Sequence, residues 1–295
     1  MMKGSKLHKF SIGNLIIHLV FICYCAVIII PFILIFSVSL SDENMIFTNG
    51  YSLIPQGFNL KAYQYIFSGA SPLLSAYGVT VFATVMTTFL HLLVTSMLAY
   101  PLSRPELKYR RVLSFYVIFP LLFSGGLVPW YLVLTQLLHL KNSVWALIIP
   151  YIVSSTYTLL MRNFFMTVPG SLIEAARIDG AKEIGILFRI VMPLAKPILA
   201  TIGLFVAVFI WNDWYTCSLL IDDIHKFNLS FLLQTIMNNL QYIAGNPMMQ
   251  GAVKYVPGEG ARMAMCVLAI GPIVLCYPFL QKYFQKGLTF GAVKE

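Results

Sequence analysis

Charge is scarce in this chain: Lys, Arg, Asp and Glu make up 11% of its 295 residues, against 59% hydrophobic residues. That balance is too apolar for a soluble domain of this length. Several catalytic signatures are absent as well. There is no G-x-x-x-x-G-K-[ST] phosphate loop, so the chain has no ATPase site of that kind. It holds neither H-E-x-x-H nor G-x-S-x-G, which removes the common zinc-protease and serine-hydrolase patterns. The five histidines (His8, His18, His91, His139, His225) are scattered, and the five cysteines (Cys23, Cys25, Cys217, Cys266, Cys276) lack zinc-finger spacing. The expectation is no metal, no cofactor bound by this chain, no disulfide, and no enzymatic activity of its own.

Long apolar runs are abundant. Six occur, at about 15–40, 77–101, 111–134, 143–161, 195–221 and 263–281, each at or near the ~20 residues that a spanning helix needs. The first far exceeds the ~7–15 residues of a cleavable signal core. The expected fold is an all-α membrane protein: one domain over residues 1–295, with six transmembrane helices. Positive charge sets the orientation. With the N-terminus in the cytosol, the inside segments hold 15 of the 20 Lys and Arg, and the outside segments hold Lys61, Lys141, Lys226, Lys254 and Arg262. Both termini are then cytosolic, in a multi-pass plasma-membrane protein. The net charge of +9 is this topogenic signal, split among four short segments. It forms no single basic patch for nucleic acid.

One polar island interrupts the pattern between the fourth and fifth runs. It reads E-A-A-R-I-D-G-A-K-E-I-G-I-L-F-R-I-V-M-P-L-A-K-P, from Glu174 to Pro197. Ser171 followed by Glu174 fits a capping box. Glu174 and Arg177 are spaced to pair at i,i+3. Gly180 suits the left-handed position that ends a helix, and Pro193 should end or kink the helix after it. The segment 171–197 is thus a helix, a glycine break and a second helix, on the cytosolic side.

This segment resembles the EAA loop of ABC-importer permeases, on Glu174-Ala175-Ala176, Asp179-Gly180-Ala181, Phe188, Ile190, Pro193 and Pro197. Other stretches extend the resemblance over nearly the whole chain: Ser124-Gly125-Gly126-Leu127-Val128-Pro129, Arg162-Asn163-Phe164-Phe165, Trp211-Asn212-Asp213-Trp214, and Tyr277 to Lys294. They are similar to the second permease of carbohydrate importers, the maltose-type and lipoprotein/polysaccharide branch. The resemblance implies a type I ABC importer permease fold in a bacterial cytoplasmic membrane. It implies four kinds of neighbour: a second homologous permease, two ATP-binding cassette subunits that use ATP and magnesium, an external solute-binding protein, and membrane lipid. It also implies that Glu174, Ala175, Ala176, Asp179, Gly180 and Ala181 couple the chain to the ATPase. An importer for a non-sugar solute, or a secondary transporter, remains as the alternative; the second expects an internal repeat and mid-membrane carboxylates.

Two outside loops are long, about 41–76 and 222–262, and the second contains an apolar run from Phe227 to Ile243 that reads as helix. They serve either as lids over the span ends or as a surface for the solute-binding protein. Trp211, Asn212, Asp213 and Trp214 are the candidate solute-path residues. Carboxylate and carboxamide suit sugar hydroxyls, and indoles suit sugar C–H faces. In an unbroken helix Trp211 and Trp214 would share a face. The competing reading is an interfacial aromatic belt. Ser124, Gly125 and Gly126 either line a cavity with backbone or permit close helix packing.

Overall fold

The computed structural model describes residues 12–68, 70–245, 258–272 and 274, and among them there is helix and no strand. The helices in chain order are α1 (Ile12–Ser39), α2 (Glu43–Asn49), α3 (Lys61–Ser68), α4 (Ala70–Ser103), α5 (Arg110–Leu122), α6 (Leu127–Leu132), α7 (Ser155–Phe165) and α8 (Gly170–Ile178). They continue as α9 (Glu183–Ile186), α10 (Met192–Leu194), α11 (Lys196–Asn212), α12 (Tyr215–Leu220) and α13 (Leu229–Gly245). A further helical stretch covers 259–272. The chain divides into two compact units, one of Met1–Ser68 with Asn239–Leu268, the other of Gly69–Asn238 with Ala269–Glu295.

In the first unit α1 is the longest apolar element; its side chains are exposed over most of its length, and only its last turn, at Ser37, Val38 and Ser39, is buried. The loop after it is organised by two neighbouring carboxylates. Asp42 caps α2 by accepting from the Asn44 amide (3.0 Å) and also accepts from Asn59 Nδ2 (2.8 Å). The Asn59 hydrogen bond, ahead of the amide, holds its carboxyl below the usual carboxylate range. Glu43 is buried, and it accepts from the amides of Glu259 (2.8 Å) and Gly260 (3.2 Å) at the start of helical residues 259–272. A carboxylate at a helix start meets unpaired N–H groups and the positive end of the dipole. A Cβ on Gly258 would stand 2.7 Å from Glu43 Oε1, so a side chain there would push the carboxylate aside. The loop 41–76 is therefore held by its own hydrogen bonds and carries two short helices.

In the second unit α4 is the organising element, packed against α7 and α11. Its buried residues Ala76, Thr80, Ala83, Thr87, His91, Thr95 and Ala99 recur every three or four positions, which places them on one face. Small side chains let helices approach closely where no hydrophobic effect drives them together. On α11, a Cβ at Gly203 would lie 3.2 Å from Leu92 Cδ1 and 3.6 Å from Thr88 Cγ2. The contact is close because one partner has no side chain.

Two helices are long and apolar enough to cross a membrane unbroken, Leu15–Ser39 and Pro72–Ser103. They match the first two expected spans. The third, fourth and fifth were expected to be continuous, and each is broken. Arg110–Leu122 and Leu127–Leu137 meet at 115°, around Gly126 with φ +81. Val144–Tyr151, made of two 3-10 turns, meets Ser155–Phe165 at 48°. The fifth run, 195–221, begins at an 83° corner where Glu183–Leu194 meets Lys196–Asn212, close to the stop expected at Pro193, and is itself split between α11 and α12. Proline explains part of this: Pro120, Pro150, Pro193 and Pro197 each lack the N–H that continues a ladder. Counting each bent pair as one span gives five among the described residues, and the sixth expected run, 263–281, is described only over its first part, 263–272 and 274. The tip 246–257 and the tail motifs from Tyr277 also lie outside the described residues.

The Ser124–Gly126 triplet does not serve close packing within this chain. A Cβ at Gly126 meets nothing within 4 Å, and one at Gly125 meets only Pro129. These residues form the bend, where a positive φ calls for glycine. The run Phe227–Ile243 is helical from Leu229 onward, as part of α13, while Phe227 and Asn228 precede the helix.

Candidate functional site

The polar island folds into an elbow. α8 begins at Gly170, directly after Pro169, and buries Ile173 and Ala176 against its own unit. Leu172, Glu174, Ala175, Ile178 and Asp179 are left exposed, with Ile178 86% accessible. The helix ends on Gly180, whose φ is +80. The Gly180 amide donates to Arg177 O (3.0 Å) and the Ala181 amide to Ala176 O (2.9 Å). That pair of bonds is the Schellman arrangement, so Gly180 ends the helix as the sequence pattern predicts. The next helix, from Glu183, widens into a π turn over Leu187–Val191 before Pro193, and stops at Leu194.

Two local expectations fail here. The capping box does not form: the N-cap is Pro169, no side chain caps the helix, and Ser171 already lies inside its first turn. The helix starts at Gly170, two positions earlier than a Ser171 cap would allow, with the chain entering it from Pro169. The Glu174–Arg177 pair is absent as well. Arg177 Nε instead donates to Glu183 Oε1 (2.8 Å), across the glycine break.

Glu183 also accepts from the Tyr100 hydroxyl (2.6 Å) at the end of α4. The Tyr100 hydrogen bond, first, and Arg177 hold the Glu183 carboxyl below its usual range. The sign is that of a depressed acid: the contribution is fully present at neutral pH and is lost as pH falls through the lowered pKa. These side chains, with Arg104 and Phe188, border a cleft of about 400 Å³ between the end of α4 and the elbow. Sequence reasoning missed Tyr100 and Glu183. The only trace was Glu183 as a third acid inside the island, six residues past Arg177.

Glu174 makes no hydrogen bond or ion pair with any described residue, and neither does the Asp179 side chain. The elbow thus offers two free carboxylates beside exposed Leu172, Ile178 and Ile184. Five charges within the ten residues 174–183 exclude it from the hydrocarbon core. The elbow is thus an exposed apolar and acidic face without a partner among the described residues.

The tryptophan cluster is not a helical face. α11 stops at Asn212, Asp213 is extended (ψ 90), and α12 starts at Tyr215. Trp211 turns inward, 9% exposed, and donates from Nε1 to Ala269 O (3.1 Å). Trp214 stays 46% exposed, so the two indoles do not share a face. Asp213 Oδ1 accepts from the Thr216 amide (3.1 Å), and its backbone oxygen accepts from Asn228 Nδ2. Asn212 Nδ2 donates to Val208 O (2.8 Å). Asn212, Asp213 and Trp214 line an open depression of about 480 Å³ with Tyr151, Phe209 and Tyr215. Trp211 does not line it.

Residues 92–290 match the model of the family described as the binding-protein-dependent transport system inner membrane component. The chain belongs to that family. The permease is 41% identical to Protein LplC of Bacillus subtilis (strain 168), over 91% of this chain and 90% of that one. It is 37% identical to the polygalacturonan/rhamnogalacturonan transport system permease protein YtcP of the same organism, over 97% and 99%. Among solved structures it is similar to a chain of a bacterial ABC transporter involved in the import of the acidic polysaccharide alginate. The TM-score is 0.82 at 29% identity, covering 95% of this permease and all of that chain.

Proposed function

We propose that this chain is one permease of an ATP-driven importer that carries a sugar or oligosaccharide inward by alternating access. The observation that carries the reading is the elbow: exposed Glu174, Asp179, Leu172 and Ile178 outside the hydrocarbon, lacking any partner in the chain. An ATP-binding cassette subunit is the partner, and ATP and magnesium are bound there rather than here. Glu174, Ala175, Asp179, Gly180 and Ala181 present the docking face, and Ala176 anchors α8 from behind. Both termini lie in the cytosol, and six spans belong to one domain over residues 1–295. Carbohydrate as the cargo is supported by the polygalacturonan/rhamnogalacturonan and alginate systems to which the chain is similar.

One chain has one elbow, so a cassette dimer with two clefts takes its second elbow from a second, homologous permease. An external solute-binding protein delivers the cargo to the outer depression at Asn212, Asp213 and Trp214. In liposomes carrying the complete complex, labelled saccharide should enter only with ATP on the cassette side and the binding protein on the other. Native mass measurement should find two different permeases and two cassettes per particle. Uptake driven by an ion gradient without ATP would overturn the importer reading, and an active particle holding only this permease would overturn the heterodimer.

A further inference from the structure

His91 is an ionisable side chain deep in the bilayer. It lies about 5 Å along the axis from the midpoint of the apolar stretch Pro72–Ser103, at ~1.5 Å of rise per residue. Such a group is costly in hydrocarbon and is a functional hypothesis by default. His91 is 2% exposed. Its Nδ1 lies 2.7 Å from the backbone oxygen of Tyr151. A carbonyl only accepts, so Nδ1 carries the proton, and in the neutral ring Nε2 is left as an acceptor. That Nε2 is buried and has no hydrogen-bond partner among the described residues.

The ring borders a cavity of about 300 Å³, with Tyr151, Ser154, Thr156, Tyr157 and Phe209 among the other walls. Tyr157 meets the imidazole edge-on with centroids 5.4 Å apart, and Phe209 meets Tyr151 edge-on at 5.2 Å. The cavity therefore combines hydroxyls with aromatic faces. Tyr151 and Phe209 also wall the depression at Asp213, so the two spaces adjoin along α11. Val153, Val206 and Ile210 complete the wall, so a few hydroxyls and one imidazole are set in a larger apolar surface, a mixture that suits the hydroxyls and C–H faces of a sugar ring.

We infer that the His91 cavity is a solute-contact subsite of the transport path, specific for a neutral hydroxylated ring. This rests on the importer reading above. The Nε2 lone pair accepts a solute hydroxyl hydrogen, and the Tyr157 and Phe209 rings meet the C–H face of the sugar. A carboxylate is disfavoured at this point, because it would face a lone pair. Nε2 is sealed in the conformation described, so the solute reaches it when α4 and α7 part as the path opens.

In the reconstituted importer, His91→Leu should raise the KM for saccharide uptake about tenfold, the loss of one buried hydrogen bond. Basal ATPase activity should remain within about twofold, and His91→Gln, which keeps an acceptor, should recover most of the affinity. Unchanged KM in His91→Leu overturns the subsite, and so does equal loss of assembly in both variants, which marks a packing role. A second measurement stands apart from folding at His91. Ser154→Cys should react with a small, membrane-impermeant thiol reagent faster than the wild type's own cysteines, and more slowly when the transported solute and binding protein are present. Labelling indifferent to the solute overturns the proposal. Wild-type uptake is measured alongside. If the wild type moves a different solute, the cargo assignment has failed, and protection at Ser154→Cys by that solute still decides the cavity's role, while its hydroxyl content decides the specificity.

Discussion

Glu174→Lys should abolish solute uptake while the chain still inserts and assembles with a second permease. The fold has little to lose from the change. Glu174 is exposed and contacts no described side chain, and surface substitutions of that kind shift stability by only about ±0.5 kcal/mol. The charge reversal therefore acts on the docking partner. Gly180→Pro reaches the same result through the backbone. Proline fixes φ near −65°, removes the amide that donates to Arg177 O, and cannot adopt the +80 found here. The elbow angle is lost even though every side chain of the docking face remains. Uptake and ATPase activity of the purified complex are the measurements, with membrane content as the control. Ala181→Cys, on the exposed side, should crosslink to the cassette subunit. Ala176→Cys should crosslink poorly, because Ala176 faces its own unit. Full uptake in either Glu174→Lys or Gly180→Pro would refute the docking role.

Glu183→Lys should lower uptake about tenfold and leave ATPase activity less dependent on the solute-binding protein, as coupling loosens by ~1.4 kcal/mol. The ion pair with Arg177 is half exposed on both sides, so by itself it contributes no more than about 1 kcal/mol. The Tyr100 hydroxyl matters more. Tyr100 is 5% exposed, and a buried donor left without its acceptor costs about 1–3 kcal/mol. The swap Arg177→Glu with Glu183→Arg separates the two contributions: it restores the ion pair but puts a donor opposite Tyr100. Only partial recovery is expected. If the swap restores uptake fully, the Tyr100 bond carries no coupling and the ion pair alone sets the elbow.

What the sequence made legible was whatever depends on long averages or on backbone stereochemistry. The runs that became α1 and α4 needed only apolar length, and Gly180 needed only a residue tolerant of positive φ at a helix end. The failures all involve where a helix starts or stops. A serine three residues before a glutamate reads as a cap, but Pro169 started α8 first. Trp211 and Trp214 share a face only in an unbroken helix, and Asp213 breaks it. Arg177 found its acid six residues onward, across a turn, where helical spacing rules do not apply. His91 was passed over as one of five scattered histidines. Its place in a stripe of Thr and Ala at helical spacing was visible, and reading α4 for small polar residues as well as apolar length would have found it.

The corner at Ala195 behaves as a bell crank. Its short arm runs from Glu183 to Leu194 and its long arm from Lys196 to Asn212, set at 83° about an alanine that has no exposed surface. At ~1.5 Å of rise per residue the arms are about 18 and 25 Å long. Turned as one rigid piece, a 1 Å push along the membrane normal at the elbow end becomes about 1.4 Å of sideways travel at Asn212, by the ratio of those lengths. A displacement applied at the elbow end would thus arrive at the depression beside Asn212 enlarged and rotated by nearly a right angle. A straight helix could only have transmitted the thrust along its own axis.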